Sequence, residues 1–96
     1  MGDPERRVTI ELFGNARLLA GRSSVDLSVP GEASAAEVAE RLSKVEPALL
    51  GEVIDPNGGL LSSYVLNLNG TCFMSSETRQ VMSGDRILLF SSQAGG

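Results

Sequence analysis

A 96-residue chain with 42% hydrophobic and 21% charged residues has room for one hydrophobic core and little surplus. A net charge of −4 is the opposite of a nucleic-acid footprint, and no run of eighteen apolar residues or charged-then-apolar leader points to a membrane or to export, so a cytoplasmic protein is expected. With no histidine and a single cysteine, Cys72, the chain cannot assemble a Ser-His-Asp triad, a Cys-His pair or a zinc site built on His or paired Cys.

Residues 1–6 are polar and include Pro4, which predicts a loose N-terminus with structure starting at Arg7. From Val8 to Phe13, apolar and polar residues alternate with the two-residue period of a half-buried strand, and Gly14-Asn15 ends it. Residues 16–22, with Leu18 and Leu19, read as a short loop or turn. A second alternating strand runs through Val25, Leu27 and Val29 and stops at Pro30-Gly31. The two strands predict an antiparallel hairpin with a long connection.

Ser34-Ala35-Ala36-Glu37 is a capping box, in which the serine hydroxyl accepts from the Glu37 N–H and the glutamate reaches back. Ala35, Val38, Ala39, Leu42 and Val45 then recur at helical spacing, so one face of a helix packs on a sheet and Pro47 ends it. Residues 47–54 predict a second short helical turn before the Asp55-Pro56-Asn57-Gly58-Gly59 loop. Tyr64 to Asn69 alternate again, and Asn69-Gly70 predicts a two-residue hairpin turn leading to a short return strand, Thr71 to Met74. Cys72 falls in this hairpin as a small half-buried hydrophobe. Residues 75–82 read as a polar connection with room for one helical turn, and Ser83-Gly84-Asp85 turns the chain into its last strand.

That last strand carries four consecutive apolar residues, Ile87 to Phe90, the pattern of a strand covered on at least part of both faces. By the period-two rule, if Ile87 and Leu89 face the helix, Leu88 and Phe90 face the other way, where Val65 joins them. Such an apolar patch is either covered by loops or by residues 47–61, or open for a partner. Residues 91–96 are small and uncharged, cannot bury enough area to offset their ordering, and predict a flexible diglycine tail reaching roughly 20 Å when extended. Glycine lets a backbone enter a narrow channel, so Gly95 and Gly96 are candidates for threading a partner's active site.

A hairpin, one helix and then further strands can bury the helix only if the sheet wraps around it. The fold class is therefore α+β, a β-grasp in which a mixed sheet of four to five strands wraps one main helix. The first and last strands lie parallel at its centre, and the whole of 1–96 forms a single domain. Plant-type ferredoxins share this architecture but need four cysteines.

Several stretches carry a resemblance across nearly the whole chain: Val8-Thr9-Ile10-Glu11-Leu12-Phe13 leading to Ala16-Arg17-Leu18-Leu19-Ala20-Gly21, the helix from Ala35, Leu68-Asn69-Gly70, Ser83-Gly84-Asp85 and Ala94-Gly95-Gly96. In these the chain resembles the ubiquitin-like sulfur carriers of the MoaD/ThiS family, most closely the small subunit of molybdopterin synthase. The resemblance implies a carrier with no catalytic residues of its own. It implies that an E1-like enzyme adenylates the Gly96 carboxylate with ATP, that sulfur replaces AMP, and that the thiocarboxylate donates sulfur inside a larger sulfur-accepting subunit.

No cofactor or metal bound by this chain is implied. Gly95, with Ala94, corresponds to the threading residues. Arg17 matches the family's arginine after the first strand and joins Phe90, Leu88 and Val65 as a partner-interface candidate. Ser91-Ser92-Gln93 departs from the family's Pro-Pro-Val style of tail, which implies a more flexible spacer. Extra length in residues 47–62 points away from thiazole synthesis. A carrier for cysteine synthesis or tRNA thiolation, or an Urm1-like protein modifier, is the alternative reading.

Overall fold

The computed structural model describes residues 5–92. Within them, β1 (Arg6–Leu12) and β2 (Ser24–Val29) form the expected antiparallel hairpin, with Val8 opposite Leu27 and Ile10 opposite Val25. Two further strands, β4 (Tyr64–Leu68) and β5 (Cys72–Met74), and the last strand β7 (Arg86–Ser91) complete a five-stranded sheet in the order β2-β1-β7-β4-β5. β1 and β7 lie parallel at its centre, Ile10 beside Ile87 and Leu12 beside Leu89, and every other pairing is antiparallel. The fold is the ubiquitin-like β-grasp that the order of elements dictates.

The main helix, α2 (Ala35–Val45), starts where the capping box sets it. Glu37 N–H donates to Ser34 Oγ at 3.3 Å, and Ser34 N–H donates to Glu37 Oε1 at 3.0 Å. Its Val38, Ala39 and Leu42 are fully buried against the sheet, while Val45, at the end of the same stripe, is 44% exposed. The sheet answers with Val8, Ile10, Leu66, Ile87 and Leu89, all buried to 1% or less. Each such side chain contributes about 1.5–3 kcal/mol through removal from water.

After α2 a 3-10 turn, Pro47–Leu49, and the bridges Leu50–Ile54 and Ile54–Leu60 bring Leu49, Val53 and Ile54 into the core. Residues 47–61 thus add to the core side of the sheet.

Several expectations need correction. Residues 16–22 are not a loop: α1 (Gly14–Ala20) is a helix entered through Gly14 at φ 59° and closed by Gly21 at φ 73°, whose N–H donates to the Arg17 carbonyl at 2.9 Å. Both left-handed positions suit glycine. The N-cap is Phe13, which makes no side-chain bond, and Ala16 is the helix's one buried residue, so neither a cap nor a periodic stripe announces it. The stretch 75–82 holds no helical turn but a two-residue strand, β6 (Arg79–Gln80), paired with β3 (Glu32–Ala33) in a separate ribbon.

β1 and β7 also run one residue further toward the chain ends than expected. Arg6 belongs to β1 with its Nε donating to the Val81 carbonyl, and Glu5 is tied to Arg41 at 2.7 Å. At the other end Ser91 pairs with Tyr64 and Ser92 N–H donates to the Ser63 carbonyl at 2.8 Å.

The β4–β5 hairpin differs in a way that matters. Its loop has three residues, 69–71, so that Leu68 faces Cys72 and Asn67 faces Phe73. Asn69 sits at φ 57°, and Thr71 returns its N–H and its hydroxyl to the Leu68 carbonyl, each at 3.0 Å. Asn69 also anchors the loop to the start of β7, accepting the Arg86 N–H at 2.9 Å and donating its own N–H to the Arg86 carbonyl at 2.7 Å.

Candidate functional site

The sheet has a second face, turned away from α2. Alternation along β7 puts Ile87 and Leu89 in the core and sends Leu88 and Phe90 outward, where both stay half-buried. Ladder register assembles their neighbours: Val65 stands opposite Phe90, Asn67 opposite Leu88, and Phe73 opposite Asn67. Phe73 and Phe90 pack as a tilted pair, ring centroids 6.3 Å apart with planes at 54°.

Phe73 is 59% exposed and Phe13, at the end of β1, 43%, well beyond what a side chain serving only the core requires. Three of the four interface residues expected from sequence, Phe90, Leu88 and Val65, are therefore brought together. Arg17 is not part of the cluster. It lies on α1 and shares a depression with Glu11, Phe13 and Ser24; since Glu11 stands beside Leu88 across the β1–β7 ladder, Arg17 flanks the apolar patch.

The patch has a polar frame and one polar occupant. Arg86 pairs with Glu11 at 2.6 Å at its margin, and Thr9 Oγ1 donates to Asp26 at 3.2 Å further out. Asn67, between Leu88 and Phe73, is 8% exposed, and its Oδ1 has no hydrogen-bond partner. A buried acceptor left unpaired costs about 1–3 kcal/mol.

The patch also adjoins the tail. Phe90 precedes Ser92, the last described residue, by two positions, about 7 Å of extended chain. Ala94, Gly95 and Gly96, the expected threading and reacting residues, lie outside the described residues.

Phe73 and Phe13 were not among the residues expected from sequence. Phe73 was hidden by the turn: a two-residue loop at Asn69-Gly70 would have set it opposite Leu66, on the core face, and the extra loop residue reverses that. Phe13 carried a signal, being the outward residue of the first alternating run. Cys72 faces Leu68, half-buried against the core, as a small hydrophobe would.

Among the described residues no cluster of three or more Cys, Asp or Glu could hold a metal ion, and no helix is long and apolar enough to cross a membrane. Arg41, on α2, has its titration displaced upward. Its hydrogen bond to Glu5 raises it above the ordinary guanidinium value, against a smaller opposing effect of desolvation.

No protein-family model and no curated protein sequence matches the chain. Solved structures do. The crystal structure of small archaeal modifier protein 1 from Haloferax volcanii superposes with a TM-score of 0.76 at 27% identity, over 94% of this chain and 99% of that one. The solution structure of small archaeal modifier protein 1 from Methanosarcina acetivorans gives 0.74 at 21% identity, over 97% and 99%. A Pyrococcus furiosus protein described as a candidate molybdopterin converting factor, subunit 1, gives 0.63 at 21% identity, over 90% and 97%, which speaks to fold alone. With its parallel β1–β7 centre and its capped central helix, the chain has a ubiquitin-like β-grasp fold, similar to that of the Haloferax small archaeal modifier protein.

Proposed function

We propose that the protein is a carrier whose reacting group is the Gly96 carboxylate. An E1-like enzyme adenylates that carboxylate with ATP, releasing pyrophosphate, and a sulfide equivalent then displaces AMP to leave a thiocarboxylate. The chain supplies the acyl carbon and the surface by which partners hold it, and the chemistry takes place in those partners. In the finer form of the proposal, it is the sulfur-donating small subunit of a molybdopterin synthase, with a larger subunit accepting the sulfur.

One observation carries the proposal. Phe90 and Leu88 of the outer patch lie on the same strand that leads to the tail, in register with Val65, so a partner gripping the patch holds the chain about 7 Å from Ser92. Docking of the body and delivery of the tail are then one geometric event, and the diglycine allows the close backbone approach that a narrow active site demands.

A second reading is favoured by the Haloferax neighbour, a modifier by name, which at 27% identity and TM-score 0.76 is nearer than the Pyrococcus one at 21% and 0.63. In it the same adenylate is passed to a lysine amine of a target protein. The two readings share the activation step and part after it.

Intact-mass spectrometry separates them. Incubation with an E1-like enzyme, ATP and a sulfur donor should raise the mass by the difference between sulfur and oxygen if the chain is a sulfur carrier. Addition of cell extract should produce larger, thiol-resistant adducts if it is a modifier. A chain that is never adenylated would overturn both.

A further inference from the structure

At the margin of the sheet opposite β5, the outer side of β2 is paired with no strand among the described residues. The phase of the β1–β2 ladder says which of its groups are open. Leu12 N–H donates to the Ser23 carbonyl at 2.8 Å, so in this register Ile10–Val25, Val8–Leu27 and Arg6–Val29 are the pairs that exchange bonds. The residues between them, Ser24, Asp26 and Ser28, turn their N–H and C=O groups away from β1. Arg41 Nη1 confirms the direction by reaching from α2 to the Ser28 carbonyl at 2.9 Å. The Asp26 N–H and C=O and the Ser28 N–H face the open edge.

This edge borders a depression floored by Leu27 and Val45 and charged by Arg7, Arg41 and Lys44, with Asp26 as the one lining carboxylate among the described residues. Asp26 accepts from Thr9 Oγ1, and Arg41 is already paired with the Glu5 carboxylate of the same chain. Arg7 and Lys44 enter none of the ion pairs among the described residues. With Arg41 neutralised by Glu5, Arg7 and Lys44 outweigh Asp26 by one positive charge, a local excess opposite in sign to the chain's net charge of −4. Two copies joined edge to edge would bring these cations against each other, which disfavours a second copy as occupant.

We propose that the β2 edge and the adjoining α2 groove bind an extended, acidic segment of a partner protein, added to the five-stranded sheet as a further strand. Its main chain bonds Asp26 and Ser28, its carboxylates meet Lys44 and Arg7, and an apolar side chain covers Val45. This site is separate from the outer patch and the tail: β1 lies between β2 and β7, so a partner can hold the edge while another holds the tail.

The test is an amide NMR titration of the full chain with a short synthetic peptide alternating glutamate and valine, beside a lysine–valine peptide of equal length. The acidic peptide should shift the amides of Asp26, Ser28 and Lys44 and slow hydrogen exchange at the first two. Lys44→Glu should weaken it about fivefold to tenfold without changing Tm. Asp26→Pro, which removes an outward N–H at an edge that tolerates proline, should weaken it independently.

Absence of binding, equal binding of the basic peptide, shifts centred on Phe73 and Leu88, or indifference to Lys44→Glu would each overturn the proposal. Self-association through β2 without peptide would assign the edge to a second copy instead.

Discussion

Ile87 and Leu89 are wholly removed from solvent, whereas Leu88 and Phe90, their immediate neighbours on the same strand, remain partly open and are joined by a phenylalanine 59% exposed. The two faces of β7 are equally apolar in composition and differ in what lies over them. One is covered by α2 and by residues 47–61, the other by no element among the described residues. A central strand flanked by β1 and β4 needs no apolar side chain on a bare face to be stable, since its ladder bonds are satisfied by its neighbours. The outer patch is therefore not needed to cover the core, and under the proposed function the difference between the faces is one between stability and recognition.

That division can be broken at several points. The largest expected effect lies beyond both faces: deletion of Gly96 should abolish adenylation by the E1-like enzyme while Tm stays at the wild-type value, because residues 5–92 hold the core. Adenylation and thermal unfolding measured on one preparation check it, and loss of both together would count against a purely functional tail.

Next, Leu89→Ala should cost about 2–5 kcal/mol in denaturant unfolding, since it opens a cavity between the sheet and α2. The outer face should respond in the opposite sense to a polar deletion: Asn67→Leu removes an unpaired buried acceptor and should stabilise the fold by about 1 kcal/mol in the same assay. The smallest effect is expected at Cys72→Ser, which should leave sulfur acceptance and delivery intact. A folded variant that failed to deliver would favour a persulfide carrier.

Much of this architecture is legible in the residues. The period-two runs, the Ser34–Glu37 box and the order of elements determine the hairpin, α2 and the parallel β1–β7 pair, because each rests on strong local chemistry or on burial of whole faces. α1 is illegible because seven residues with Phe13 as a silent N-cap and one buried alanine carry neither a cap nor a stripe. β3 and β6 are illegible because two-residue strands have no period to read.

At the site, the outward positions of Leu88, Phe90 and Val65 follow from alternation alone. Phe73 does not, because its face depends on whether the hairpin loop holds two residues or three. That choice is made by Thr71 bonding back to Leu68 and by burial of Met74, which a two-residue turn would have sent to the surface.

The central claim, that the bare face of β7 is where partners hold this chain, is tested most directly by titrating Phe90→Ser against the E1-like enzyme. Removing an aromatic contact worth about 1.5–3 kcal/mol at an interface should weaken binding roughly tenfold or more, with Tm lowered far less than by Leu89→Ala. Unchanged affinity in a folded Phe90→Ser variant would contradict the account.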